Sequence, residues 1–111
     1  MNKREFDKYL KRDQGRCYHC GITDDTLVPQ HRQGRGMGGS KLRNVPSNII
    51  TFCSDYNQRI EDNHIASLKA KRMGWKLESW EDPQTTPVWD STAQEWFIIS
   101  DNYTREVTQL G

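Results

Sequence analysis

The apolar positions of the chain fall into short, separate groups, which predict alternating helical and extended segments. Phe6 and Leu10 are four positions apart in residues 2–12, so they form one apolar stripe of an amphipathic helix that ends at the turn over residues 13–15. Residues 26–30 are predicted as a short strand that leads to His31. Residues 47–52 are rich in β-branched and aromatic side chains and predict a second strand. Between them, residues 33–46 contain four glycines and predict a loop.

The longest helical pattern follows the second strand. Ser54 is predicted as the N-cap of a helix that starts at Asp55, runs to about residue 73 with a break near Asn63, and stops at Gly74. From residue 87, V-W-D and W-F-I-I-S flank a polar turn and predict a hairpin. The four tryptophans are expected to pack this hairpin against the helix, with a partner-docking surface as the alternative. The pattern predicts an α+β fold.

Composition and charge narrow the function. A chain of 111 residues with 33% hydrophobic residues suits one domain with a modest core, to which a bound metal or a partner could add stability. Lys and Arg are in excess in residues 1–46, whereas Asp and Glu dominate residues 77–111, although the net charge is only +1. A polyanion would therefore bind the first part of the chain, unless these charges merely solvate the surface.

The three cysteines point to metal or redox chemistry. They cannot all pair within one chain, and Cys17 and Cys20 form a C-x-x-C pair, which in a reducing compartment is typical of metal or redox sites. No βαβ pattern surrounds this pair, which disfavours a redox protein. The sequence contains no signal-peptide pattern and no run of membrane length, so we expect a cytoplasmic protein without a membrane partner.

Strand, glycine-rich loop, strand and helix form a ββα unit that carries four chemically useful residues. His31 ends the first strand, Asn48 opens the second, Asn57 lies in the first turn of the helix, and Glu61 follows four positions later on the same face, with Cβ atoms about 6 Å apart. His64 stays on that face if the helix is regular.

These residue types suit the hydrolysis of a phosphodiester, which needs a base to activate water and a cation to stabilise negative charge. A histidine has a pKa suited to the base role, and Asn and Glu oxygens suit magnesium or manganese. The alternative is a surface histidine above a solvated helix. Phosphate contacts are expected from basic residues on or beside the loop: Arg32, Arg35, Lys41 and Arg43.

The chain resembles the HNH endonucleases, most closely the small HNH proteins of tailed bacteriophages. The resemblance lies in V-P-Q-H-R-Q-G-R-G-M-G-G-S, P-S-N-I-I, C-S-D-Y-N and G-W-K-L. It implies a ββα-metal finger over residues 17–77, within a single domain of residues 1–111 that has an N-terminal helix and a C-terminal hairpin extension over residues 78–111. It also implies DNA cleavage or nicking with one divalent cation, in the host cytoplasm for a phage protein, with phage packaging or recombination proteins as partners.

The resemblance assigns roles by position. His31 corresponds to the general base, Asn48 to the middle asparagine that braces the loop and orients the histidine, Asn57 to a metal ligand, and Glu61 to a further ligand of some members. Gln30 stands where the family commonly has Asp, Glu or His as a ligand. Because Gln30 is neutral, we expect low rather than absent affinity for the metal.

A second departure concerns zinc. Zinc-bearing members carry two C-x-x-C pairs, but Tyr56 replaces the last cysteine here, which leaves Cys17, Cys20 and Cys53 as candidate ligands of a structural zinc ion. His19 or Asp55 could complete the set, although neither has the expected position, and the alternative is three cysteines that pack as small apolar groups.

The sequence therefore predicts a metal-dependent DNA endonuclease or nickase. We expect low sequence specificity, because no base-reading recognition helix is predicted. The alternative is a non-catalytic nucleic-acid-binding zinc-knuckle module, which the neutral Gln30 favours.

Overall fold

Helices and antiparallel strands alternate along the chain in an α+β arrangement, as the apolar pattern predicts. The computed structural model describes residues 1–34 and 43–109. Within these ranges it contains three helices and two small antiparallel sheets. The elements are α1 (Lys3–Arg12), β1 (Leu27–His31), a 3₁₀ turn (Pro46–Asn48), β2 (Ile49–Cys53), α2 (Ser54–Asp62), α3 (His64–Arg72), β3 (Val88–Asp90), β4 (Glu95–Ile99) and β5 (Arg105–Thr108).

The N-terminal helix α1 begins at Lys3, one residue later than predicted. Asn2 is the N-cap, and its Oδ1 accepts a hydrogen bond from the backbone N–H of Glu5 at 2.8 Å. Phe6 and Leu10 are half-buried, and Tyr9 between them is fully buried. The helix therefore turns an apolar stripe inward, as predicted.

Strands β1 and β2 form the first sheet, and Pro29 lies opposite Thr51 in its register. Proline lacks a backbone N–H, so it fits a position where the ladder needs no donor. Thr51 turns its own backbone groups to the other side, where its N–H donates to Asp13 Oδ2 at 3.1 Å and its carbonyl accepts from the Tyr18 N–H at 3.2 Å. The residues after α1 thus bind β2 through its backbone.

A buried ion pair completes this attachment. The Arg12 guanidinium donates to both carboxylate oxygens of Asp13 at 2.8 and 2.9 Å, and also to the backbone carbonyls of Pro46 and Ile49. The Tyr18 hydroxyl donates to the same carboxylate at 2.5 Å. Each buried charge therefore has several polar partners, which is the condition for tolerating a charge in the interior.

Helix α2 begins one residue earlier than predicted. Cys53, not Ser54, is the N-cap: its backbone is extended, and its Sγ accepts from the Tyr56 N–H at 3.4 Å. The predicted break near Asn63 is confirmed, since this residue is extended and its side chain caps α3 through the Ala66 N–H. Gly74 follows α3 with a φ of +76°, a conformation that favours glycine.

The predicted hairpin is confirmed as β3 and β4, and β5 adds a third strand that the sequence pattern did not predict. The missed strand has its two middle residues exposed, so it carries no apolar alternation. Trp75 is buried and its Nε1 donates to the carbonyl of Trp89 at 2.8 Å, which joins this sheet to the rest of the core. Trp80 is 80% exposed, so the expected packing of all four tryptophans is wrong for this one. No helix in the described ranges is long and apolar enough to cross a membrane.

Candidate functional site

A pocket of about 410 Å³ lies where β1 ends beside α2. It brings together four residues that the sequence places in one site, namely Gln30, His31, Asn57 and Glu61. The strand supplies the first two side chains and the helix supplies the last two. The other lining residues are Pro29, Arg32, Gly34, Ile60 and Lys76.

The side chain of Gln30 is held in one orientation. It is buried, and its Nε2 donates to the backbone carbonyl of Trp75 at 2.7 Å. Its carbonyl oxygen Oε1 is thereby turned towards α2, where it accepts from Asn57 Nδ2 at 3.1 Å. Two amide side chains from separate elements therefore meet on one wall of the pocket.

The ring of His31 is fixed by a residue that the sequence analysis did not single out. Its Nε2 lies 2.8 Å from Oδ1 of Asn44. Because an amide oxygen only accepts hydrogen bonds, Nε2 is the donor in this contact, and Nδ1 is the ring nitrogen left for other partners. Asparagine is common in turns, so nothing in the sequence marks Asn44 as a partner of His31.

Asn48 is fully buried and ties the two ends of the loop together. Its Oδ1 accepts from the Gln33 N–H at 2.8 Å, and its Nδ2 donates to the carbonyls of Gln33 and Arg43. Its own backbone carbonyl accepts from the Arg32 N–H at 2.7 Å. These contacts brace the strand that presents His31, which is the loop-bracing part of the predicted role.

The prediction that Arg32 binds phosphate is wrong. This side chain is fully buried, and its guanidinium donates five hydrogen bonds to backbone carbonyls, so every N–H group is used. The acceptors belong to Ser47, Gly74, Pro83, Thr86 and Pro87. Burial lowers the pKa of Arg32 to about 10, which still leaves it charged at neutral pH.

Of the other residues predicted to contact phosphate, the structure describes only Arg43. Arg43 is half-buried beside the 3₁₀ turn, and its carbonyl accepts from Asn48. Arg35 and Lys41 lie outside the described residues. His64 begins α3 beyond the break at Asn63, so it does not continue the face that carries Asn57 and Glu61.

The three cysteines form a second cluster. The Sγ atoms of Cys17, Cys20 and Cys53 all lie within 4.8 Å of one another. Backbone N–H groups of His19 and Cys53 donate to Cys17 Sγ at 3.2 and 3.1 Å. Such donors stabilise a thiolate, so this group of three could hold a metal ion, such as zinc. In the free thiol form, burial raises the pKa of Cys17 to about 12.

Neither His19 nor Asp55 completes the cluster. Within the described ranges, the group of mutually close metal-ligand atoms contains only the three cysteines. The His19 ring is instead stacked on Tyr56, with centroids 3.7 Å apart, and meets the edge of Trp75. Burial lowers the pKa of His19, and the positive charges of Lys69 and Arg59 lower it further. Asp55 is exposed.

The sequence matches no protein-family model and no curated protein, and no solved structure matches the fold.

Proposed function

We propose that this protein is a metal-dependent DNA endonuclease or nickase with a ββα-metal finger formed by β1, β2 and α2. The observation that carries the proposal is the pocket itself, in which the ring of His31, held through its Nε2, shares one cavity with the side chains of Gln30, Asn57 and Glu61. A base next to a set of oxygen ligands is what phosphodiester hydrolysis requires.

Each residue of the pocket has a separate role in the proposed reaction. His31 takes a proton from the attacking water at Nδ1, while Asn44 holds the ring through Nε2. Asn48 keeps the strand end in place. Gln30, Asn57 and Glu61 would hold a divalent cation, magnesium or manganese, which would stabilise negative charge on the phosphate and the leaving oxygen.

The donor set fits a hard divalent cation, but a weakly bound one. Gln30 Oε1 and the Asn57 amide are 3.1 Å apart, which is close to the separation of about 3 Å between neighbouring oxygens around a magnesium ion. Rotation of the Asn57 amide would exchange its NH₂ for its oxygen. Glu61 is the one carboxylate of the three, and two neutral amides attract a cation less strongly than the carboxylates usual at such sites.

A plasmid assay tests the role of His31. Supercoiled plasmid is incubated with the protein and magnesium, manganese or EDTA. We expect relaxed or linear DNA with either cation and none with EDTA. His31→Ala is expected to abolish cleavage without loss of fold, because it removes the base. His64→Ala is the matched control, since this histidine is exposed and outside the pocket. Full activity in His31→Ala would refute the assignment.

Calorimetry tests the cation site. Asn57→Ala and Glu61→Ala are each expected to weaken binding of manganese and to lower nicking in parallel, because both side chains line the pocket. Asp62→Ala is the control, because it removes an exposed carboxylate of the same helix that lies outside the pocket. Unchanged manganese affinity in both pocket variants would place the cation elsewhere.

The cysteine cluster supports a second candidate, a nucleic-acid-binding zinc-knuckle module. We propose that Cys17, Cys20 and Cys53 bind one structural zinc ion, which would connect the segment after α1 to the start of α2. Elemental analysis of the purified protein is expected to find one zinc per chain, and chelation is expected to lower the melting temperature, since ligand binding energy adds to folding energy. Protein that binds zinc and DNA but never nicks plasmid would favour this module over the nuclease.

A further inference from the structure

We infer that Lys76 is a further site residue, whose ammonium group binds a non-bridging oxygen of the phosphodiester in the pocket. This inference rests on the proposed function. Lys76 lines the same pocket as His31, Asn57 and Glu61. It is half-buried, and its Nζ lies 3.3 Å from the hydroxyl oxygen of Ser67. Lys76 is the lysine of the G-W-K-L motif, and the proposed base and cation ligands do not include it.

The backbone around Lys76 is fastened to the strand that carries the base. The carbonyls of Gly74 and Trp75 accept from the side chains of Arg32 and Gln30 at 2.8 and 2.7 Å. The Leu77 N–H donates to the Arg32 carbonyl at 2.7 Å. The residues on both sides of Lys76 are therefore hydrogen-bonded to Gln30 and Arg32, the neighbours of His31. These bonds fix the position of the Lys76 backbone and so preorganise its charge.

Lys76 is also the basic side chain of the pocket whose charge is available to bind an anion. Arg32 is the other basic lining residue within the described ranges, and its five donors are already used. Within those ranges no carboxylate lies within ion-pair distance of Lys76. The hydroxyl group of Ser67, which Lys76 contacts, is neutral. An anionic phosphate oxygen would form a stronger, charge-assisted hydrogen bond with the ammonium group and would displace this hydroxyl.

The transition state also places more negative charge near Lys76 than the ground state does. Attack on a phosphodiester raises the negative charge on the phosphorus oxygens from about one to about two, while the proton released by the water is held by His31. An ammonium group fixed beside those oxygens therefore stabilises the transition state more than the bound substrate, which lowers the barrier.

Lys76→Gln and Lys76→Arg test the inference. The first keeps most of the length and removes the charge, and the second restores the charge. We expect Lys76→Gln to lower kcat/KM for nicking by about 10²-fold, as for the loss of one donor to a developing oxyanion, and Lys76→Arg to recover most of it. Manganese affinity should not fall, because Lys76 is not a ligand. Lys69→Gln, which neutralises an exposed lysine of α3 outside the pocket, should leave nicking unchanged.

A binding measurement separates this inference from the proposed function. Fluorescence anisotropy of a labelled 12-base-pair duplex in EDTA requires no cleavage. Each phosphate contact contributes about one unit to the slope of log affinity against log salt, so Lys76→Gln should reduce that slope by about one and Lys69→Gln should not. If the wild type never nicks but the slope changes, the nuclease proposal fails and the phosphate contact stands. An unchanged slope in Lys76→Gln, or an equal change in both variants, overturns the inference for Lys76.

Discussion

Replacement of Arg32 by methionine is expected to destabilise the protein severely while leaving no specific defect in DNA binding. The substitution keeps a long apolar stem and removes all five donors. Two of the five hydrogen bonds, to the carbonyls of Ser47 and Gly74, are buried, and three are only partly buried. Water can replace the arginine at the partly buried carbonyls but not at the two buried ones.

The magnitude follows from those two carbonyls. A buried acceptor left without a partner costs about 1–3 kcal/mol, so Arg32→Met should cost about 2–6 kcal/mol. A domain of this size is stable by about 5–15 kcal/mol, so the variant loses a large share of its stability. The stability of Arg32→Lys should lie between that of Arg32→Met and that of the wild type, because an ammonium group has three donors for five acceptors.

Urea unfolding followed by tryptophan fluorescence measures the effect. The midpoint for Arg32→Met should fall by about 1 M or more, while Arg72→Met, an exposed arginine on α3, should change stability by less than about 0.5 kcal/mol. DNA affinity is compared at a temperature where each variant is folded. A phosphate-binding Arg32 would give the opposite result, weaker DNA binding at unchanged stability, and that outcome would refute the burial argument.

Three further predictions concern the fold and the cysteine cluster. Gly74→Ala should lower the free energy of unfolding by about 2–4 kcal/mol, because the new Cβ would lie 2.1 Å from the Pro87 carbonyl oxygen. Gly15→Ala, also at positive φ but in open space, should lower it by only about 1 kcal/mol in the same urea titration. Asp13→Ala should cost about 3–5 kcal/mol by leaving a buried guanidinium without its carboxylate; a loss below 1 kcal/mol would contradict this. Tyr56→Cys should tighten zinc binding in a chelator competition, and an unchanged affinity would show that position 56 does not face the metal.

The parts of the fold that depend on near neighbours could be predicted from the sequence. The apolar stripe of α1, the helix break at Asn63 and the stop at Gly74 each depend on a few adjacent residues. The resemblance to the HNH endonucleases implies that Gln30 and Asn57 lie in one site, and the two side chains do line one pocket.

The parts that depend on distant segments could not be predicted. An arginine beside a glycine-rich loop has the same local pattern whether it is exposed to phosphate or buried, and the carbonyls that bury Arg32 come from positions 15 to 55 residues later. Lys76 reaches the pocket only because the chain after α3 is bonded to Gln30 and Arg32. The loop contact between Asn44 and His31 is tertiary as well, since 13 residues separate the two.

The way α1 attaches to β2 also limits how the protein can associate with itself. A two-stranded sheet has two open edges, each able to recruit a strand from a second copy. On the β2 edge, Arg12, Asp13 and Tyr18 already occupy the backbone groups of Ile49 and Thr51. On the β1 edge, Pro29 offers no N–H. The β2 edge is thus occupied and the β1 edge lacks a donor at its centre, which disfavours edge-to-edge pairing of two copies of the chain.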